Sequence, residues 1–380
     1  MRIVHVSDCY PPRVGGIENQ VHDLAAQQSL RGSAVHVLTA TAAEQGNPSR
    51  YRASTTDLPA VRVHRMATPV TFGIPIHPRG YWLIRRALTK LAPDVVHVHA
   101  GMVAPFAWDG AQAARSLGLP LVVTWHSMLD GAESLMRIGA RFTGWDRADF
   151  VASAVSSVAA ERVAAALGRT DVHVLPNGLD LQPWLAAADR PVPRRAGPLR
   201  VIATQRLAAR KRARPLIESV QQAHRQLGME AGSPRLRLTL VGGGAERERL
   251  KAQVSRRGLG DVVALTGPVP RPVLPTLYRD QDVFAAPATL EAFGIAALEA
   301  RAAALVVVGR EGTGMADFIT DDVDGYLTST DAGLTEALVR LAREPHTLSR
   351  LRRHSAEHPP AFGWDEVVRQ AGELYTRARL

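Results

Sequence analysis

Short runs of β-branched residues alternate along this chain with longer alanine-rich stretches of helical period. In the first half these runs are Ile3–Val6, Val35–Leu38, Val61–Val63, Val95–Val98, Leu121–Thr124 and Phe150–Ala152. In the second half they are 200–203, Leu236–Val241, Val262–Leu265, Val283–Ala286 and Leu305–Val308. Strands that alternate with helices favour parallel sheets with crossover helices. The pattern therefore predicts an α/β protein with two doubly wound, Rossmann-like sheets.

A segment rich in proline and arginine, Asp189–Pro198, separates the two series and is predicted to be a linker. The length of 380 residues agrees with two domains, each large enough to bury its own core. Ligands of such sheets bind at the carboxyl ends of the strands. We therefore expect two domains that face each other across a cleft, with the ligands in that cleft.

The composition excludes several classes of protein. The apolar runs are too short to span a membrane, and the N-terminus enters a strand pattern without a secretory signal. Because Cys9 is the single cysteine, an internal disulfide framework is excluded. The formal net charge is +10, but no nucleic-acid-binding motif accompanies it. We expect a cytoplasmic protein that binds phosphorylated small molecules or anionic lipid, and no nucleic acid.

The most informative stretch contains two carboxylates, Glu291 and Glu299. If the helix begins at Phe293, Glu291 lies at its mouth and Glu299 in its second turn. The N–H groups of Phe293, Gly294 and Ile295 would then face the same crevice, where a helix N-terminus carries partial positive charge. This arrangement suits an anion or a hydroxyl-rich ligand. The alternative is an ordinary helix N-terminus with an acidic residue near it.

Two cations follow the first strand of the second sheet. Arg206 and Lys211 lie on one predicted loop and can reach one anion from different sides, which would neutralise a developing diphosphate charge. A lysine in an arginine-rich chain indicates that a compact ammonium is needed. The alternative is a solvated basic loop, since Arg210, Arg212 and Arg214 are nearby.

Three further sites are candidates for ligand contacts. Gly15 and Gly16 could let the backbone approach a phosphate at the next helix N-terminus, although a plain turn is an alternative. His126 follows the strand Leu121–Thr124 and could offer a ring nitrogen and a carbonyl, or be structural. The glycine turn Gly242–Gly244 could approach a nucleotide or simply connect a strand to a helix.

A basic amphipathic helix is predicted over Arg79–Leu91, with Tyr81 and Trp82 beside Arg85 and Arg86. Such a helix can lie on an anionic membrane surface. The alternative, which we favour, is a packing helix with a solvated basic face.

These segments together resemble family 4 of the retaining glycosyltransferases, which have the GT-B fold. The resemblance covers nearly the whole chain and rests on Gly15–Glu18, Leu175–Asp180, Arg206 with Lys211, Leu240–Leu250, and Glu291 with Glu299. Residues Phe362–Asp365 and the helix after them resemble the segment that crosses back to the N-terminal domain. The resemblance thus implies an N-terminal domain of residues 1–182 with 358–380, and a nucleotide-sugar-binding domain of residues 183–357.

The resemblance also implies roles for the candidate residues. Arg206 and Lys211 would hold the diphosphate of a nucleotide-sugar donor, and Gly16, next to Gly15, would lend it a backbone N–H. Glu299 would bind the ribose, and His126 would lie near the sugar ring. Glu291 and the amides of Phe293, Gly294 and Ile295 would position the sugar hydroxyls. No cofactor beyond the donor and no metal is expected, because the pairs Asp280/Asp282 and Asp322/Asp324 fall outside the position of a metal-binding pair.

The implied activity is a metal-independent hexosyl transfer, with retention, from a nucleotide-diphosphate sugar to a hydroxyl acceptor. The resemblance favours mannose from GDP-mannose and a phosphatidylinositol-type lipid at the inner face of the plasma membrane. The alternatives are UDP-glucose or UDP-N-acetylglucosamine with a soluble acceptor, a nucleotide-sugar epimerase of the same fold, and a non-catalytic nucleotide-binding module. Two departures concern loop geometry: Arg212 stands where the family commonly has glycine, and Ala303–Val306 replaces a Cys-Gly-x-Pro-like break.

Overall fold

The computed structural model describes residues 1–13, 15–43, 54–58, 61–67, 77–129, 131, 133–188, 197–230 and 232–380. They form two compact units, one of residues 1–178 with 362–380 and one of residues 179–361. The sequence places the corresponding boundaries at 182 and 358. Residues 189–196 of the predicted linker lie outside the described part of the chain.

The first unit is built on an eight-stranded sheet in the order β3-β4-β2-β1-β5-β6-β7-β8. Only the edge pair β3/β4 is antiparallel, and the other pairs are parallel. The strands are β1 (Arg2–Ser7), β2 (Ala34–Thr39), β3 (Ser54–Leu58), β4 (Val61–Arg65), β5 (Val95–Ala100), β6 (Leu121–Trp125), β7 (Val151–Ala154) and β8 (Val172–Val174). The helices between them are α1 (Gly16–Leu30), α2 (Gly80–Leu91), α3 (Pro105–Ser116), α4 (Glu133–Thr143) and α5 (Ser157–Leu167).

The second unit is built on a six-stranded parallel sheet in the order β13-β12-β9-β14-β15-β16. Its strands are β9 (Leu199–Thr204), β12 (Leu236–Val241), β13 (Val263–Gly267), β14 (Val283–Ala285), β15 (Val306–Arg310) and β16 (Gly325–Thr328). A separate short hairpin pairs β10 (Met229–Glu230) with β11 (Ser233–Pro234). The helices are α6 (Gln182–Ala188), α7 (Ala213–Leu227), α8 (Arg247–Arg256), α9 (Leu274–Arg279), α10 (Ile295–Ala302), α11 (Asp331–Arg343) and α12 (Pro345–Glu357).

The strand sequences explain the parallel topology. Every residue of β5, β6 and β15 is buried, because helices cover both faces of each sheet. Such strands appear in the sequence as nearly continuous apolar runs, which is why their positions can be predicted from the sequence. The predicted fold class, two parallel Rossmann-like sheets of GT-B type, is confirmed.

The last helix, α13 (Trp364–Ala378), packs within the first unit against α1 and β6. Its buried face contributes Trp364, Val367 and Leu374 to a core shared with Ile3 and Val122. The C-terminal segment is therefore part of the core of the N-terminal sheet and is not an appended tail. Among the helices of the described residues, none is both long and apolar enough to cross a membrane.

Candidate active site

Lys211 and Glu291 form the central contact among the predicted site residues. Lys211 ends a 3-10 turn, Ala209–Lys211, that follows β9, and Glu291 lies on the loop after β14. The Lys211 Nζ atom is 2.5 Å from Glu291 Oε2, and the two side chains are 22% and 23% exposed. β9 and β14 are neighbours in the sheet, so the carboxyl ends of adjacent parallel strands bring the two charges together.

The glycine turn after β12 supports the loop that carries Arg206. The Leu207 N–H donates to the Gly243 carbonyl at 2.8 Å, and the Glu246 N–H donates to the Leu207 carbonyl at 3.0 Å. Gly242 has φ +142°, and a Cβ there would lie 1.9 Å from the Gln205 carbonyl oxygen. A Cβ on Gly244 would likewise lie 2.4 Å from the Leu207 carbonyl oxygen, so close backbone packing against residues 205–207 requires glycine at 242 and 244. Arg206 itself is exposed at the surface of this loop.

Arg212, which follows Lys211 at a position where the family commonly has glycine, adopts the left-handed conformation with φ +59°. Glycine adopts this conformation without steric cost, whereas other L-residues pay about 1–2 kcal/mol. The Arg212 guanidinium is anchored by an ion pair with Asp331, whose Oδ2 lies 2.6 Å from Nη2. The backbone geometry that suits glycine is therefore kept in this chain by an arginine with a side-chain partner.

The prediction that the helix begins at Phe293 is wrong, because α10 begins at Ile295. Gly294 has φ +94°, a left-handed value that cannot continue into a helix. A Cβ on Gly294 would lie 2.8 Å from Met315 Cγ, and the Gly314 N–H donates to the Glu291 carbonyl at 3.0 Å. Phe293 and Gly294 therefore belong to a tight turn before the helix, and Ile295 alone of the three predicted amide donors is helical.

Glu299 lies in the second turn of α10, as the sequence predicts, and is 5% exposed. Burial raises the pKa of Glu299 to about 7. It forms an ion pair with Arg271, whose Nε lies 3.7 Å from Glu299 Oε1. Burial and the Glu299 charge together raise the pKa of Tyr278 well above its ordinary value. Glu299 is therefore a buried carboxylate that a hydrogen-bonding ligand would stabilise in its charged form.

Gly15 and Gly16 stand at the start of α1 in the first unit, where Gly15 is the N-cap and Gly16 the first helical residue. The Glu18 carboxylate lies over this N-terminus, since a Cβ on Gly15 would be 2.2 Å from Glu18 Oε2. Glu18 is buried and pairs with Arg13, whose Nε is 3.2 Å from Oε1. An anion at this helix end would therefore share it with a carboxylate.

His126 follows β6 directly, and its N–H donates to the Ala100 carbonyl at 2.9 Å. Burial lowers the pKa of His126 to about 4, so the ring is neutral at physiological pH. Its Nε2 atom is 2.9 Å from Nδ1 of His99, and the ring also hydrogen-bonds to Asn177. A cavity of about 20 Å³, roughly the size of one water molecule, adjoins His126, Asn177 and Gln20.

One aspartate of each Asp-x-Asp pair forms a buried ion pair within the second unit. Asp282 pairs with Arg352 at 3.1 Å, and Asp324 pairs with Arg301 at 3.0 Å.

The predicted basic helix, α2, packs through Ile84 and Leu88, while Trp82 is 65% exposed. The helix thus combines a packed face with an exposed aromatic residue.

Sequence reasoning missed four residues that interact with the predicted site. Arg271 forms an ion pair with Glu299, and the Glu299 charge raises the pKa of Tyr278. Nothing in the local sequence marks either residue. Asn177 and His99 adjoin His126. Here a signal is present, since His99 is a polar residue in a wholly buried strand and Asn177 lies within the Leu175–Asp180 motif.

Two family models match successive halves of the chain. The model described as Glycosyltransferase Family 4 matches residues 14–183, and the model described as Glycosyl transferases group 1 matches residues 187–358. With the two parallel sheets, these matches define a glycosyltransferase of the GT-B fold. More particularly, the chain is a nucleotide-sugar glycosyltransferase.

Individual proteins extend the comparison. The chain is 27% identical to D-inositol 3-phosphate glycosyltransferase of Kribbella flavida, over 96% of this chain and 91% of that protein. It is 24% identical to a phosphatidylinositol N-acetylglucosaminyltransferase subunit of Arabidopsis thaliana, over 100% of this chain and 82% of that protein. Among solved structures, Anabaena HepE in complex with UDP-glucose has a TM-score of 0.73 at 18% identity, with 99% of this chain and 100% of that chain covered.

Proposed function

We propose that the protein transfers a hexose, with retention at the anomeric carbon, from a nucleotide-diphosphate sugar to a hydroxyl of an acceptor that carries an inositol phosphate. Mannose from GDP-mannose is the first candidate donor, and a phosphatidylinositol-type lipid is the first candidate acceptor. The observation that carries the proposal is the contact of Lys211 with Glu291 beside the turn that leads into α10 and Glu299.

The reaction must separate a glycosyl group from a diphosphate through a state in which the sugar becomes cationic and the phosphate gains charge. Groups that bind the departing diphosphate more strongly in this state lower the barrier. Lys211 and Arg206 are proposed for this role. The acceptor hydroxyl attacks the face from which the diphosphate leaves and gives its proton to the departing phosphate oxygen. A glycosidic bond of the same configuration thus replaces the glycosyl–phosphate bond, and no metal is assigned a step.

The remaining residues are proposed to bind and orient the donor. Glu299 accepts hydrogen bonds from the ribose hydroxyls, and its burial makes these bonds strong because solvent competes little there. Glu291 and the backbone amides of Phe293, Gly294 and Ile295 position the sugar hydroxyls.

We extend the proposal to three residues of the first unit, with the roles that the family resemblance implies for them. Gly16, with Gly15 before it, binds phosphate through its N–H, and His126 contacts the sugar.

Two observations support an inositol phosphate acceptor. The Kribbella relative is named for inositol 3-phosphate, and the Arabidopsis relative is named for phosphatidylinositol. Both names therefore refer to an inositol phosphate, which is free in the first case and lipid-linked in the second. Helix α2 of this chain exposes Trp82 beside Arg86 and Lys90, a combination that suits an anionic lipid surface. The lipid-linked form is therefore the first candidate, and the free form is the second.

The experiment begins with thermal unfolding in the presence of GDP-mannose, UDP-glucose and UDP-N-acetylglucosamine, because a ligand that binds the native state raises the midpoint. The stabilising donor is then incubated with phosphatidylinositol vesicles, with free inositol 3-phosphate, and alone. Product with vesicles supports the lipid acceptor, and product with inositol 3-phosphate supports the soluble one. Conversion of the donor sugar without an acceptor would establish an epimerase and contradict the proposal, as would the absence of any transfer.

A further inference from the structure

A continuous line of buried polar side chains crosses the sheet of the first unit and ends at His126. All of its members before His126 are almost wholly inaccessible to solvent, in a region otherwise filled by valine and leucine. They are Ser153, Thr124, His97, Tyr375, Gln28, His5 and His99. Buried polar groups are costly unless they are hydrogen-bonded, so the partners of each one can be followed in turn.

Each member contacts the next at hydrogen-bonding distance. The contacts at the β7 end are Ser153 Oγ to Val123 O at 3.3 Å, Thr124 Oγ1 to Ser153 Oγ at 2.7 Å, His97 Nε2 to Thr124 Oγ1 at 2.7 Å and His97 Nδ1 to Tyr375 OH at 2.8 Å. The contacts toward His126 are Gln28 Nε2 to Tyr375 OH at 2.8 Å, His5 Nε2 to Gln28 Oε1 at 2.7 Å, His99 Nε2 to His5 Nδ1 at 2.9 Å and His126 Nε2 to His99 Nδ1 at 2.9 Å.

The histidines in this line are neutral. Burial lowers the pKa of His5 to about 4 and holds the pKa values of His97 and His99 well below their ordinary range. A neutral imidazole has one N–H donor and one acceptor nitrogen. A ring that donates a hydrogen bond to one neighbour must therefore accept one from the other, so that the hydrogen bonds on its two sides run in the same direction.

The β7 end fixes that direction. A carbonyl can only accept, so the Ser153 hydroxyl donates to Val123, and Ser153 Oγ in turn accepts from the Thr124 hydroxyl. Thr124 Oγ1 then accepts from His97 Nε2–H, which leaves His97 Nδ1 to accept from the Tyr375 hydroxyl.

The Gln28 amide has the orientation that this direction requires and links Tyr375 to His5. Its nitrogen donates to the Tyr375 oxygen, and its carbonyl oxygen accepts from His5 Nε2–H. His5 Nδ1 must then accept from His99 Nε2–H, and His99 Nδ1 must accept from His126 Nε2–H. We infer that this directed chain of hydrogen bonds holds His126 in the tautomer protonated at Nε2, so that Nδ1 is an acceptor.

Gln28, His5 and His99 are thus positioning residues for His126. The Asn177 hydrogen bond raises the pKa of His126, so in this orientation the amide presents its oxygen to the ring. The inferred tautomer requires the reversed amide, which has nearly the same shape and presents its nitrogen to Nδ1. A ligand hydroxyl that reached Nδ1 would act as a donor. This last consequence rests on the proposed function, whereas the tautomer does not.

Metal binding is the competing explanation, because ring nitrogens of His5, His97 and His99 lie within 4.8 Å of one another. Both ring nitrogens of all three histidines already have hydrogen-bond partners, and a metal ligand would have to give one up. The hydrogen-bonded chain accounts for every one of these nitrogens, so it is the assignment we adopt.

The test is a ¹H–¹⁵N correlation spectrum of the histidine rings in the intact protein, labelled at histidine and recorded at neutral pH. His126, His99 and His5 are expected to show a protonated Nε2 and an unprotonated Nδ1. A protonated Nδ1 on His126, or loss of the pattern on addition of one equivalent of Zn²⁺, would overturn the inference.

Three variants test the direction of the chain. Gln28→Leu removes the acceptor of His5 and is expected to abolish the single tautomer at His126. Gln28→Glu keeps an acceptor there and is expected to preserve it. Tyr375→Phe separates Gln28 from the β7 end, which fixes the direction, and is likewise expected to abolish the single tautomer at His126. A single His126 tautomer that persists in both Gln28→Leu and Tyr375→Phe would contradict the directed chain.

Transfer activity separates this inference from the proposed function. If Gln28→Leu shifts the His126 signals without lowering transfer, the inferred chain of hydrogen bonds is supported and the proposed role of His126 is contradicted. If the wild-type spectrum shows the other tautomer while transfer occurs, the inferred direction of the hydrogen bonds is contradicted and the proposed function is supported.

Discussion

The Lys211 ammonium and the Glu291 carboxylate lie 2.5 Å apart although the residues are 80 positions apart in the chain. Both side chains are partly buried, so each charge orients the other in an environment that screens them less than bulk water. In the proposed function Lys211 holds the diphosphate and Glu291 the sugar. Their contact would therefore set the separation between the leaving group and the hydroxyls of the transferred sugar.

Glu299 is expected to make folding stability depend on pH. Its folded pKa of about 7 lies above the ordinary value of 4.5, so between these values the folded state keeps a proton that the unfolded chain has lost. Stability from this group is therefore complete below pH 4.5 and falls as pH rises toward 7, by at most about 3 kcal/mol. Glu299→Gln removes this loss, so the variant is expected to gain stability relative to wild type as pH rises.

Thermal midpoints of the two proteins between about pH 5 and pH 8 measure this effect. The matched control is Glu336→Gln, which makes the same substitution at an exposed position of α11 and measures the effect of the substitution itself. A constant difference between wild type and Glu299→Gln across the range would show that the carboxyl does not retain its proton.

Gly294→Ala is expected to destabilise the protein by about 1–3 kcal/mol. The alanine must adopt φ +94°, and its Cβ would lie 2.8 Å from Met315 Cγ. The matched control is Gly372→Ala in the middle of α13, where a Cβ meets open space and helix propensity favours alanine by about 1 kcal/mol. Chemical denaturation checks both variants, and equal stability of the two would refute the strained turn before α10.

Substitutions at Arg212 are expected to separate backbone strain from the ion pair with Asp331. Arg212→Gly loses the ion pair but relieves the left-handed strain, while Arg212→Ala loses the pair and keeps the strain. The glycine variant is expected to be more stable than the alanine variant by about 1 kcal/mol. Differential scanning calorimetry gives the order, and an alanine variant as stable as the glycine variant would mean that the loop relaxes to another conformation.

The sequence predicts the sheets well because strands buried on both faces are visible as continuous β-branched runs. It misses β3, whose sequence Ser-Thr-Thr-Asp-Leu is polar, and two short strands at sheet edges, β8 with three residues and β16 with four. It also starts α10 two residues early, because Gly294 adopts a left-handed φ of +94° that no local sequence pattern indicates.

The candidate site is predicted less completely, for a physical reason. Residue types and their order point to Lys211 and Glu291 separately, but their contact depends on β9 and β14 being neighbours in the sheet. Arg271 reaches Glu299 through tertiary packing alone. Likewise, the chain of hydrogen bonds behind His126 joins four strands and two helices and has no local signature.

The most direct test of the account is the transfer rate of Lys211→Ala with the donor that stabilises the protein. The matched control is Lys251→Ala, which removes an exposed lysine of α8 paired with Glu248. The account predicts that Lys211→Ala lowers the rate by a factor of about 100 or more while the protein stays folded, and that Lys251→Ala transfers at the wild-type rate. Wild-type transfer by Lys211→Ala would contradict the central claim that this ammonium stabilises the departing diphosphate.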